Sequence, residues 1–285
     1  MQKIPNSLKI SKFESIYYFE FSKDFYHDPE RHPSWEMVYV DSGSINAITN
    51  GIGCTLSEGQ AIFHEPMEPH AHVSDKKVPN NMLVVAFYCD SKEMEFFKGK
   101  TFKLDKTSKM LLTLFLEEAK NTFGDVPGDF SKHGLPEISE KEFGAYQLLE
   151  SHFTEFLIKL IRSDNGHKVV STRQSRDIAN TSACELICEY MKRNLVTPLN
   201  TTEICNKFLI GKTQLCKIFQ EYIGKSPMEY YNELKIKEAK KLLRDKKMSV
   251  SQISDYFGYS SIHNFSRAFR KITGVSPTAY IKSIR

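Results

Sequence analysis

The stretch CKIFQEYIGKSPMEY, Cys216 to Tyr230, returns fifty residues later as SRAFRKITGVSPTAY, Ser266 to Tyr280. Six positions agree at that offset: Lys217/Arg267, Phe219/Phe269, Gly224/Gly274, Ser226/Ser276, Pro227/Pro277 and Tyr230/Tyr280. The repeat restricts the fold. Glycine accepts the left-handed conformation that stops a helix. Serine before proline supplies an N-cap and a preset first turn for the next one. Each copy must therefore end one helix and begin another.

A short helical pattern precedes each copy, at Ile204 to Phe208 and at Ile253 to Phe257. After a tight turn, a second helix begins near Lys212 or Ser261. Leu215 with Phe219, and Phe265 with Phe269, lie four apart and turn inward together. A short helix, a turn and a second helix joined by an apolar seam make a helix-turn-helix. Asn200 with Glu203, Ser226 with Glu229, and Ser249 with Gln252 fit capping boxes. The pattern predicts seven helices, roughly 181–194, 201–208, 212–222, 227–244, 250–257, 261–271 and 277–283. The 227–244 helix, with Tyr230, Leu234, Ala239, Leu242 and Leu243 as its apolar side, spans ~27 Å. It can hold two recognition helices about one DNA turn apart, ~34 Å.

In that arrangement the outward face of each second helix enters the major groove. The residues on it are Lys212, Thr213, Cys216 and Lys217 in the first copy, and Ser261, Ile262, His263, Ser266 and Arg267 in the second. Arg267 can bond guanine O6 and N7 bidentately, Lys217 can meet guanine or phosphate, and Ile262 suits a thymine methyl. The charge agrees with this placement. From Ser171 onward, 20 lysines and arginines face 10 acidic residues, whereas the preceding 170 residues hold 19 against 25. A basic back half suits a polyanion.

The first ~105 residues have a different period. SIYYFEF, WEMVYVDSG, SINAIT, QAIFHEP and NMLVVAFYC are short β-branched and aromatic runs separated by turn residues, the pattern of an antiparallel barrel or sandwich. TNGIG at 49–53 reads as a hairpin turn. From about Ser108 the apolar spacing becomes helical. A loop is predicted at 124–136 and a helix from Glu140 to Arg162. That helix carries the stripe Phe143, Tyr146, Leu149, Phe153, Phe156, Leu157 and Leu160. The stripe suits either the barrel or a second protomer. Residues 163–180 are polar and read as a linker.

No apolar run of about 18 residues occurs, so no membrane span is expected. The N-terminal residues lack a signal-peptide pattern, and a cytoplasmic location is expected. Six scattered cysteines read as reduced thiols. Cys184 and Cys188, one helical turn apart, read as core. No G-x-S-x-G and no phosphate-binding glycine loop is present, so no enzyme is expected.

Residues 181–285 resemble the DNA-binding domain of the AraC/XylS family of bacterial transcription regulators. ISDYFGYSSIHNFSRAFRKITGVSPTAY at 253–280 carries most of the likeness, and LKIKEAKKLL at 234–243 resembles the connecting helix. Ser254 stands where the family has alanine. Leu209 stands where it favours glycine, and Gly211 where it favours a serine cap. HPSWEMVYVDSGSI at 32–45 and LSEGQAIFHEPMEPHAH at 56–72 resemble the cupin-like barrel that this family often carries as a sensor.

The resemblance implies an α+β multidomain chain. A cupin-like antiparallel β-barrel spans 1–105 and a helical extension, with a role in dimerisation, spans 106–165. A linker follows at 166–180, then an all-α double helix-turn-helix domain at 181–285. It implies a regulator of promoter DNA, controlled by a small effector held by Trp35, Glu36 and His70. Homodimerisation and contact with RNA polymerase would follow, and no cofactor is expected. The rival reading is a cupin-type metalloenzyme or metal sensor fused to a DNA-binding module. Its metal ligands would be His32, Glu36 and His70, with His64 and His72 as neighbours.

Overall fold

Strand alternation organises the first half of the chain. The computed structural model describes residues 7–23, 25–75, 78–124, 135–136, 141–245 and 248–283. They divide into two units, Met1–Ala179 and Asn180–Arg285. The first begins with β1 (Ile10–Phe21), β2 (Trp35–Ser42), β3 (Ser44–Thr49), β4 (Ile52–Ser57), β5 (Gln60–His64), β6 (His70–Ser74) and β7 (Asn80–Cys89). A 3₁₀ turn (Lys92–Phe97), β8 (Lys100–Lys103), α1 (Lys106–Phe123), α2 (Ala145–Ser163) and β9 (Gly166–Lys168) follow.

The strands form two antiparallel sheets, ordered β1-β7-β2-β5-β8-β9 and β4-β3-β6. The expected barrel is thus two sheets rather than one closed ladder among the described residues. Gly43 makes the corner between them. It has φ +78°, and a Cβ there would lie 2.6 Å from the Pro79 carbonyl oxygen, so only glycine fits. The predicted hairpin at Asn50-Gly51 is present, with φ of 50° and 75°.

Successive residues of β2 serve two cores. Trp35, Met37 and Tyr39 join Leu111, Phe115, Phe153 and Phe156 beneath the helices. Val38 and Val40 join Ile45, Ala47 and Leu56 between the sheets. Glu36 falls on the second side.

The α2 stripe is only partly as expected. Leu149, Phe153, Phe156, Leu157 and Leu160 are buried against their own sheet, so they are not free to cover a second protomer. The helix starts at Ala145, after Gly144 with φ +78°. Phe143 therefore leaves the stripe fully exposed, and Tyr146 is half exposed. Most of the 124–136 loop lies outside the described residues.

The stretch expected as a linker contains β9 and the start of α3 (Arg173–Arg193). The missed signal is Thr172-x-x-Ser175. The Thr172 N–H donates to Ser175 Oγ (2.7 Å) and the Ser175 N–H to Thr172 Oγ1 (3.0 Å). This is a reciprocal cap with serine in the place of glutamate.

The second unit continues with α4 (Thr201–Phe208), α5 (Lys212–Tyr222), α6 (Pro227–Arg244), α7 (Val250–Tyr256), α8 (Ile262–Thr273) and α9 (Pro277–Ser283). All three predicted capping boxes form. Gly224 and Gly274 sit at φ +75° and +82°, as the repeat required. Ile253, Phe257, Phe265 and Phe269 pack with Ile236, Ala239 and Leu243 of α6 into one core. The α6 stripe is shifted by one residue from expectation. Tyr231, Lys235 and Ile236 are buried, while Tyr230, Leu234 and Leu242 are half-buried.

Candidate functional site

The two helix-turn-helix copies share a scaffold and differ at their turns. In the first, α4 ends at Leu209, a leucine held at φ +53°. Gly211 precedes α5 and supplies no side-chain cap. In the second, Ser261 Oγ accepts the Asn264 N–H at 3.1 Å and starts α8 firmly.

On α5, Leu215, Ile218 and Phe219 are buried, and Lys212, Thr213, Cys216 and Lys217 are all exposed. On α8, Phe265 and Phe269 are buried, and Ile262, His263 and Arg267 are exposed. Ser266 is half-buried. Ser261 departs from the expected outward face, because its hydroxyl is taken up as the N-cap. Arg267 Nη2 donates to Asn264 Oδ1 at 3.1 Å, which holds the guanidinium along the helix surface. Asn264 was not read from the sequence as part of this face. Its signal is the i, i+3 spacing to Arg267.

Lys235 of α6 lies outside the apolar side read from the sequence. It is buried, and its Nζ donates to the Phe257 carbonyl at the end of α7, 2.7 Å away. The ammonium also lies 4.6 Å from the Tyr231 ring centre and 5.6 Å from that of Tyr259. A cation at a helix C-terminus meets the negative end of the macrodipole. Burial pushes the Lys235 pKa down. A side chain of the connecting helix thus fixes the second motif's first helix. Tyr231 does similar work at the other end, its hydroxyl 2.7 Å from the Asn194 carbonyl and 2.6 Å from that of Thr197.

In the first unit a cavity of about 860 Å³ opens beside β1. Tyr17, His27, Glu30, His32 and Glu36 are among the polar side chains that line it. Of the residues expected to hold an effector, only Glu36 lines it. Trp35 is adjacent in sequence and so points to the opposite face of β2, into the helix-side core. His70 stands behind the lining, its Nε2 3.4 Å from Glu36 Oε1 and 3.7 Å from Glu30 Oε1. These are ion-pair distances rather than hydrogen bonds.

His32 Nε2 lies 3.3 Å from Glu36 Oε2, and its Nδ1 lies 3.1 Å from the Ser34 carbonyl. Burial alone would raise the Glu36 pKa, but the His70 charge and the imidazoles of His32 and His70 hold it well below the usual carboxylate range. Burial would lower His70, yet Glu36 and Glu30 push it up to about 10. Burial keeps His64 and His72 neutral, well below the usual imidazole value. The resemblance-implied ligands His32, Glu36 and His70 are brought together and joined by Glu30, with one donor atom from each within 4.8 Å of the others. That donor set fits a transition metal. Cys184 and Cys188 are both buried on α3.

Residues 204–283 match the family model described as a helix-turn-helix domain. The regulator ArgR of Pseudomonas aeruginosa is 29 % identical over 123 residues, 43 % of this chain and 37 % of that protein. A solved Chromobacterium violaceum transcriptional regulator with an AraC-type DNA-binding domain is 30 % identical. It covers 34 % of this chain and 88 % of that one, with a TM-score of 0.33. The chain belongs to the AraC/XylS family.

The likeness of this AraC-type chain extends beyond the C-terminal unit in relatives such as the Bacillus subtilis HTH-type regulator YfiF. That protein is 26 % identical over 250 residues, 87 % of this chain and 76 % of its own length. The chain spans only about a third of the length of the first curated relatives, 37 % for ArgR and 33 % for GbdR of Pseudomonas aeruginosa. No helix among the described residues is long and apolar enough to cross a membrane.

Proposed function

We propose that this chain is a sequence-specific, double-stranded-DNA-binding transcription regulator, with affinity for its operator set by a small molecule in the first unit's cavity. The observation that carries it is the pair of recognition helices. Each has its apolar seam buried and an exposed outer row, Lys212, Thr213, Cys216 and Lys217 on one and Ile262, His263 and Arg267 on the other. Arg267, Ile262 and His263 read bases in the second motif. Lys212, Thr213, Cys216 and Lys217 serve the first, where short side chains and a weak cap favour phosphate anchoring over base discrimination.

The cavity supports the effector half of the reading through its size and its mixed lining of aromatic side chains and carboxylates. The protein acts in the cytoplasm, without catalysis of its own, as a homodimer that contacts RNA polymerase at its promoters. Because the apolar stripe of α2 is covered by its own chain, the dimer contact uses another surface.

Selection of preferred DNA from a random pool tests the core of this. A site with two blocks one helical turn apart is expected, doubled if the dimer binds. Recovery of no consensus at moderate salt would sink the reading. The effector half is tested by DNA affinity with and without candidate ligands at one fixed salt concentration, because phosphate contacts make affinity salt-dependent. Reciprocal coupling between the two ligands is the required result.

A further inference from the structure

Glu36 of β2, His64 of β5 and His72 of β6 meet inside the first unit, with exposures of 5 %, 0 % and 4 %. One donor atom from each lies within 4.8 Å of the other two. The Nε2 atoms of His64 and His72 face each other at 3.0 Å. Behind the first ring, His64 Nδ1 is 3.2 Å from Thr49 Oγ1 and 3.7 Å from Glu68 Oε2. This engages the outer nitrogen and leaves Nε2 turned to the cluster, the arrangement in which imidazoles ligate metals. His70 stacks on His64 with ring centres 4.3 Å apart. Its Nδ1 donates to the Glu68 carbonyl (2.8 Å) and its Nε2 has no hydrogen-bond partner.

We propose that Glu36, His64 and His72 form a binding site for a divalent first-row transition-metal ion. Spacing supports it. Two imidazoles bound at about 2.0–2.1 Å place their nitrogens roughly 2.9 Å apart in octahedral cis geometry and about 3.4 Å apart in tetrahedral geometry. The observed 3.0 Å falls in that interval. Two imidazoles and one carboxylate select Fe, Co, Ni or Zn over Mg or Ca, which prefer all-oxygen shells. The set shares Glu36 with the group of His32 and His70 but draws on two other imidazoles. In that group the imidazoles face carboxylates at 3.3–3.7 Å, and Glu30 is open to the cavity with a side chain 40 % exposed. An ion between His64 and His72 also joins β5 of one sheet to β6 of the other, so it pins the two sheets together. The competing arrangement is one proton shared between the two Nε2 atoms.

The test uses the full chain, freed of metal by chelation and titrated with cobalt(II). Trp35 is the only tryptophan and lies in the first unit, so its fluorescence reports that unit alone. The expected result is uptake of about one cobalt per chain, visible d–d absorption, and a higher unfolding midpoint of Trp35 with metal than without. His64→Gln and His72→Gln should each abolish the absorption and the midpoint shift, whereas His32→Gln should keep both. X-ray absorption of the wild-type cobalt form should count at least two imidazoles, which decides the matter if a variant fails to fold. Absence of uptake, or bands that survive in His64→Gln and His72→Gln, or bands lost only in His32→Gln, would overturn the site. None of these outcomes bears on DNA binding, which the random-pool selection tests separately.

Discussion

Ser254 offers the sharpest test of how the second unit is held together. It lies in α7, fully buried, and its Oγ has no hydrogen-bond partner. A buried hydroxyl left unsatisfied costs about 1–3 kcal/mol relative to water. Ser254→Ala removes that cost. Alanine also has a better helix propensity than serine by about 0.5 kcal/mol. Against this, loss of one oxygen leaves a void on the order of 10 Å³, worth a few tenths of a kcal/mol at about 24 cal/mol per Å³. The expected outcome is a gain of ~1–2 kcal/mol in the second unit. For a domain near this size, that raises the midpoint by about 4–8 °C per kcal/mol. The assay is calorimetry of the full chain with far-UV circular dichroism in urea, while Trp35 fluorescence follows the first unit separately. DNA affinity should not change, because Ser254 does not reach the surface. If Ser254→Ala lowers the midpoint or leaves it unmoved, the hydroxyl is satisfied after all and the reasoning fails.

Arg267→Ala should cost ~1–3 kcal/mol of binding and relax the preferred site at one position, whereas Lys217→Ala should weaken all sequences alike and reduce the salt slope; equal losses on every sequence for Arg267→Ala would reduce that residue to a phosphate contact. Leu209→Gly should stabilise the second unit by about 0.5–1 kcal/mol in urea titrations, since glycine accepts φ +53° without the Cβ penalty; a net loss would mean the half-exposed leucine packs more than it strains. Asp105 caps α1 by accepting the Ser108 N–H at 2.7 Å, and Asp105→Ala should cost about 1 kcal/mol in the Trp35 unfolding transition. That hydrogen bond holds the Asp105 carboxyl below its ordinary 3.8. A depressed acid contributes stability that is complete above 3.8 and lost as pH falls through the lower folded value. The difference between wild type and Asp105→Ala should therefore shrink only below pH 4, and a difference that shrinks at neutral pH would contradict the cap.

Local rules account for what could be read in advance. Asn200, Ser226 and Ser249 cap their helices because a serine or asparagine oxygen three residues before a glutamate or glutamine needs no distant partner. Gly224 and Gly274 stop helices for the same local reason. The helix-turn-helix bounds consequently agree with expectation within a residue or two, except at α3, where Thr172-x-x-Ser175 is an unfamiliar form of the same cap. The separation of Trp35 from Glu36 was also legible, since neighbours on a strand point to opposite faces and Trp35 goes to the helix-side core; the period of two was present and went unused.

Other features were decided by contacts between residues far apart in the chain. Lys235 has the sequence context of a surface lysine, and only the end of α7, brought against α6, makes it a buried donor to the Phe257 carbonyl. The cluster of His32, Glu36, His64, His70 and His72 draws on three strands and the loop before β2, so no spacing along the chain specifies which Nε2 atoms converge. Sequence alone determined the repeat, the caps, the apolar seams and hence the outward faces of α5 and α8, because each depends on residues within one or two helical turns. Tertiary structure alone decided which polar groups are buried together, because burial and ion pairing depend on what the opposite sheet or helix presents.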